Sequence, residues 1–219
     1  CSSDLHFLID QSRPTTLKQR YRAGSKTLLR VSHLRQHRIG KDLLTRCIAM
    51  ALEALEACDL LIFSDFNYGS VPQELVSATV SYCARRGIPF FADSQSSSQV
   101  GDISRFKGAR LITPTEREAR LALGNYEDGL VVVAEQLRQR AQAENVTITL
   151  GAEGMLIHAR LTKDNTWLTD RLEALNSAPK DTAGAGDSLL VCTAMAMSLG
   201  SPIWESLYLG SVAAACQVG

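Results

Sequence analysis

The stretch best equipped for chemistry runs from Asp181 to Leu190, DTAGAGDSLL, where small residues and an acid stand directly ahead of a long apolar run. Ala183, Gly184, Ala185 and Gly186 have almost no side-chain bulk, so a ligand can approach the backbone where the amides opening the next helix lack partners. Such amides, together with the helix macrodipole, favour an anion, and a phosphate suits the turn. A carboxylate beside a phosphate pocket is repelled unless its charge has a task. Asp187 therefore reads as a general base that takes the proton of an alcohol, while the Gly184 to Gly186 amides hold the charge spread over a phosphoryl group in transfer. The same letters also suit a plain strand-to-helix connection with Asp187 as a favourable first-turn charge. They do not form a Walker A loop, since no Gly-Lys-Ser/Thr follows.

The elements that must position this turn alternate between strand and helix. Apolar residues recur at helical spacing from Asp42 to Ala57, and Pro72 to Arg86 reads as a helix with Pro72 in its first turn and Gly87 past its end. Leu60 to Phe63, Ile88 to Ala92 and Leu111 to Thr113 are short apolar strands, and Leu130 to Glu144 is another helix. This order predicts a mostly parallel sheet covered on both faces, an α/β fold. Val146 to Leu150 and Met155 to Ala159, joined by Gly151 to Gly154, read as a hairpin at one edge, and two helices, Asp187 to Leu199 and Ile203 to Val218, close the chain. Near the start, Leu5 to Ile9 reads as a short strand, and Thr15 to Tyr21 with Lys26 to Ser32 as an antiparallel hairpin. Gln95 to Gln99, QSSSQ, reads as a loop.

In parallel sheets ligands gather beyond the carboxyl ends of the strands. The polar residues after each apolar run are thus expected on one rim with Gly184 to Asp187: Asp65 after Phe63, Asp93 after Ala92, Thr115 and Glu118 after Thr113, and Gly151 after Leu150. Thr115 to Glu118 also has the spacing of a capping box ahead of a helix.

With 219 residues, 45% of them hydrophobic, the chain can build a large core. Its 23 basic and 23 acidic residues cancel, which argues against nucleic acid or an anionic membrane as partner and for a small molecule. The local exception is the hairpin, where Lys18, Arg20, Arg22, Lys26 and Arg30 precede Arg35 and Arg38. These residues suit a solvated sheet edge, and one or two of the arginines would equally grip a phosphate or acid on a substrate. Six cysteines, at positions 1, 47, 58, 83, 192 and 216, show no metal-ligand spacing and lie mostly in apolar segments, which fits a reducing cytoplasm. No apolar run is long enough for a membrane span.

Asp181, Thr182, Gly184, Ala185, Gly186 and Asp187 match D-T-x-G-A-G-D, the C-terminal signature of the ribokinase-like (PfkB) carbohydrate kinases, which this chain resembles. The resemblance implies a three-layer sandwich with a small β lid, ATP and Mg²⁺ as cofactors, a monovalent cation such as K⁺ beside them, and a homodimer. It makes Asp187 the catalytic base and Gly184, Ala185 and Gly186 the anion hole. It sets Thr149, Gly151 and Gly154 of T-x-G-x-x-G, with Thr182, against the nucleotide, and has Glu118 order the metal through water. Asp65, Asp93 and Arg20 are then expected to bind substrate. The run RPTTLKQR, SDFNYG, the Ala92-Asp93 pair and ITPTEREA are most similar, within the family, to kinases of heptose 7-phosphate. Tyr68 and Ser94-Gln95 stand where that subgroup has Lys and Pro-Lys, and Thr115 where the family has Asn. On this resemblance residues 1–219 are one ribokinase-like domain without the family's N-terminal part and extreme C-terminus, and 14–33 form the lid. The expected activity is transfer of the ATP γ-phosphoryl group to a sugar or sugar phosphate. A kinase for another sugar or nucleoside, or a kinase-like domain that binds without turnover, stands beside it.

Overall fold

The computed structural model describes residues 5–23, 26–96, 101–161 and 166–219. Its centre is a six-stranded sheet in the order β3(Leu61–Asp65), β4(Phe90–Ser94), β5(Leu111–Ile112), β6(Asn145–Thr149), β7(Met155–Arg160), β8(Trp167–Leu172). The pairs from β3 to β6 are parallel, and the β6–β7 and β7–β8 pairs are antiparallel. Strand alternation splits the core into two layers. Phe63, Phe90, Ala92, Ile112, Val146 and Ile148 face α2(Gln73–Arg86), α3(Glu116–Leu123) and α4(Leu130–Ala141). Phe91, Leu111 and Ile157 face α5(Ala185–Ser198) and α6(Ile203–Gln217). Successive residues thus serve opposite faces, so both must be apolar; this is why the parallel strands read as unbroken hydrophobic runs. The fold is α/β in three layers, as the order of the elements predicts.

Helix α1(Lys41–Leu55) packs on α2, with only Leu55 fully buried. Ahead of it β1(Leu17–Ala23) and β2(Lys26–His33) form a separate antiparallel pair, Arg20 opposite Arg30 and Tyr21 opposite Leu29. The hairpin is two-faced in an unusual sense. Its basic side chains meet the body: the Lys18 ammonium lies 4.3 Å from the Phe66 ring centre and 5.0 Å from that of Tyr68, and Arg22 reaches Asp181 at 2.9 Å. Its apolar side chains Leu17, Tyr21 and Leu29 are exposed on the other face.

Two expectations need correcting. Leu5 to Ile9 forms no strand; Leu5, Phe7 and Ile9 are exposed, because alternation alone makes no strand without a partner to hydrogen-bond. The β6–β7 hairpin is not at the edge, since β8 pairs outside it. Of the expected loop Gln95 to Gln99, residues 97–99 lie outside the described residues.

Candidate active site

Helix α5 opens on Gly184, which holds φ +82°, a left-handed conformation that a side chain would strain. The helix start has no side-chain cap. The Ser188 amide donates to the Gly184 carbonyl at 2.9 Å, while among the described residues the amides of Gly186 and Asp187 donate to no protein acceptor. A Cβ built on Gly186 would meet nothing within 4 Å, so protein packing does not demand glycine there. The open space suits a group that approaches the backbone closely, as a phosphate does.

That space belongs to a cleft of about 330 Å³ beyond the carboxyl ends of the strands. Gly186 and Leu189 of α5 form one wall; Asp93 near the end of β4, Gln95 and Ser96 after it, Thr113 and Thr115 after β5, and Thr149 of β6 form the floor. Arg117 and Glu118 enter from α3, and Arg30 enters from the hairpin. Thr115 and Thr149 are bridged in parallel fashion, which ties the floor together.

Glu118 is buried and closes the expected capping box: its Oε2 accepts from the Thr115 amide and hydroxyl, both at 2.8 Å. Its Oε1 accepts the Ser96 amide at 2.6 Å, so it also fastens the segment after β4. Each carboxylate oxygen has two lone pairs, which leaves Oε1 one to turn toward a water in the cleft. Capping and cleft roles are compatible in this one residue. Asp93 has a different environment. Burial, then the charges of Glu118, Asp187 and Asp65, pushes its carboxyl up to about 7. Acids gathered this closely in a partly closed cleft suit a site that receives cations. Among the described residues no three His, Cys, Asp or Glu form a metal cage. The set fits Mg²⁺ that keeps waters and is held largely by phosphates, the usual state of that small, strongly hydrated ion.

The other expected residues separate. Asp187 lies on the exposed first turn of α5, close enough to raise Asp93. Asp65 is buried against Arg105, at 2.7 Å, and accepts the Asn67 amide at 3.0 Å; it fixes the rim and does not line the cleft. Arg20 is exposed on β1, and its cross-strand partner Arg30 reaches the cleft instead. Thr182 is exposed, its carbonyl accepting the Ala185 amide at 3.4 Å. Asp181 accepts the Ala183 amide at 3.1 Å and pairs with Arg22, contacts that hold its carboxyl below the usual range.

Gly151 and Gly154 bracket a tight turn outside this cleft. Gly154 has φ +86°, and a Cβ there would stand 2.0 Å from the Leu172 carbonyl oxygen, so glycine is needed where the end of β8 crosses the turn. Just beyond lies a second cleft of about 380 Å³, lined by Leu175, Asn176, Ser177, Val212, Ala215 and Cys216. The 181–186 turn packs on the adjoining end of α6: the Lys180 amide donates to Val218 O at 2.9 Å and the Gln217 side chain to Ala183 O at 3.4 Å.

A family model described as pfkB family carbohydrate kinase matches residues 7–219. The chain belongs to this family. Relatives include the bifunctional protein HldE of Desulfatibacillum aliphaticivorans, 28% identical over 95% of this chain and 41% of that protein, and HldE of Helicobacter hepaticus, 28% identical over 99% and 44%. The chain thus spans less than half the length of these relatives. The pfkB fold is also that of solved structures: Escherichia coli phosphofructokinase-2 with substrates and products (TM-score 0.69, 16% identity, 93% of this chain and 64% of that one) and Arabidopsis thaliana ribokinase with ribose and ATP (0.60, 16%, 87% and 59%). Sequence reasoning missed Arg117 and the second cleft. A cation two residues after Thr115, at the start of a helix that points away from the rim, was the available signal for the first. The second draws on segments 35 or more residues apart and had none.

Proposed function

We propose that this pfkB chain is the catalytic part of an ATP-dependent sugar or sugar-phosphate kinase acting in the cytoplasm, with heptose 7-phosphate as acceptor. The support rests above all on one observation: an uncapped helix start, with Gly186 facing open space, shares its cleft with half-buried Asp93 and buried Glu118 and adjoins the exposed carboxylate of Asp187. Asp187 takes the proton of the acceptor hydroxyl. The acceptor oxygen then forms its bond to the γ-phosphorus as the bond from that phosphorus to the β–γ bridging oxygen breaks, and ADP leaves with that electron pair. At the turn of Gly184, Ala185 and Gly186, the unpaired amides of Gly186 and Asp187 meet the charge on the phosphoryl oxygens.

Mg²⁺, when bound with ATP, neutralises part of the phosphate charge. Glu118 turns a free lone pair toward that region and Asp93 adds a second acid. Thr149 and Thr182 flank the phosphates, while the Gly151 to Gly154 turn and the second cleft at Asn176 and Cys216 take the nucleoside. Potassium is present in a structure of E. coli phosphofructokinase-2, and a monovalent cation such as K⁺ is part of this reading. The hairpin of residues 14–33 covers the acceptor side with its basic face, excluding water that would otherwise compete as acceptor. Its outward apolar face, Leu17, Tyr21 and Leu29, docks a second copy in a homodimer.

The test is ADP release from Mg²⁺-ATP across heptose 7-phosphate, hexose phosphates and free sugars, with Asp187→Asn beside the wild type. Turnover on heptose 7-phosphate that falls by about 10²–10⁴-fold in the variant is expected. Turnover on free sugars alone would replace the acceptor. Binding of ATP without any turnover would instead identify a kinase-like binding domain.

A further inference from the structure

Two arginines line the cleft, Arg30 from β2 and Arg117 from the first turn of α3. Both are exposed, and among the described residues neither makes a hydrogen bond or an ion pair. This is unexpected on electrostatic grounds. Asp93 and Glu118 line the same cleft, yet neither arginine pairs with them. Elsewhere in this chain unlike charges do pair: Arg105 with Asp65, Arg22 with Asp181, Arg120 with Glu116 and Arg138 with Glu135. Two unpaired cations in one cleft with uncapped amides mark room for an anion with several oxygens.

The two arginines differ in what holds them. Arg117 stands on α3, whose first turn is pinned by the Thr115–Glu118 capping box, so its reach is fixed relative to the floor. Arg30 stands on a hairpin that, among the described residues, meets the body through side-chain contacts such as Lys18 on two rings and Arg22 on Asp181. A cation carried on such an element can take a new position when the acceptor arrives, and guanidinium is suited to a planar, multi-oxygen charge.

We infer that the arginines divide the work: Arg117 holds the nucleotide phosphates in the ground state, and Arg30 is a catalytic residue that contacts the phosphoryl group during transfer. The division rests on the kinase reading above. Arg30 acts where charge spreads over the three peripheral phosphoryl oxygens, so its contribution appears in the rate of transfer and not in ATP affinity. It also ties transfer to cover by the hairpin, since the residue that stabilises the transferred group arrives with the element that excludes water.

The experiment uses the whole protein with Arg30→Ala, Arg30→Lys, Arg117→Ala and Asp187→Asn, measuring the Kd for Mg²⁺-ATP by calorimetry and kcat and KM with heptose 7-phosphate. Arg30→Ala is expected to lower kcat about 10²–10³-fold with the ATP Kd unchanged, Arg30→Lys to recover part of that loss, and Arg117→Ala to raise the Kd and KM for ATP with kcat retained. The inference is overturned if Arg30→Ala weakens ATP binding while keeping kcat, or if it turns over as the wild type does while Asp187→Asn is inactive. A wild type that binds ATP but transfers to no acceptor overturns the kinase reading itself, and this inference with it.

Discussion

Replacing Asp93 by Asn should make the protein more stable, and by an amount that grows with pH. In the folded chain, burial and the charges of Glu118, Asp187 and Asp65 raise the Asp93 carboxyl from 3.8 to about 7. Between those two values the unfolded chain has released the proton and the folded chain retains it. Stability changes with pH in proportion to protons bound unfolded minus protons bound folded, here negative, so it falls as pH rises from about 4 to about 7 and then levels off. The full span corresponds to ~4 kcal/mol at pH 8, and to ~2 kcal/mol at pH 5. Asn keeps the shape and cannot ionise, so it escapes this cost. Urea unfolding of both proteins without Mg²⁺ or nucleotide should show the advantage of Asp93→Asn growing by roughly 2–3 kcal/mol from pH 5 to pH 8. An advantage equal at the two pH values would mean that Asp93 ionises as freely in the fold as outside it, and the electrostatic account of the cleft would be wrong. A carboxyl that costs stability in the empty protein is what a cation-receiving site requires. Saturating Mg²⁺-ATP should therefore narrow the gap by stabilising the wild type more.

Other consequences concern the rim and the hairpin. Asp65 and Arg105 form an ion pair with Asp65 only 3% exposed, so Arg105→Ala should cost ~3–5 kcal/mol by leaving a buried charge, and the double variant with Asp65→Ala should cost less than the sum of the singles in urea unfolding. Additive losses would show that the pair is not coupled. Leu29→Asp places a charge on the outward apolar face of the hairpin, opposite Tyr21, and should shift sedimentation from dimer to monomer. A wild type that sediments as a monomer at micromolar concentration would refute that use of the face.

The parts of this protein legible in its sequence are those specified locally. The start of α5 at the small-residue turn, the capping box of Thr115 and Glu118, and the apolar strands β3 to β5 each follow from a few adjacent residues whose preferences agree. What escaped reading depends on partners distant in sequence. Strand β8, WLTDRL, has no apolar run because it is an edge: Leu168, Asp170 and Arg171 are exposed, and its place is set by pairing with β7. Edge strands need charged residues to discourage further pairing, so the feature that protects β8 also hides it. Asp65 sits on the rim as its position after Phe63 predicts, but Arg105, forty residues on, turns its side chain away from the cleft. The choice between Arg20 and Arg30 is similar. Period-two alternation and the cross-strand register place both on one face of the hairpin, and only the seating of that hairpin, by Lys18 on Phe66 and Tyr68, decides that Arg30 meets the cleft. Sequence thus names the class of residue that a site recruits, while packing between distant segments selects the individual that serves.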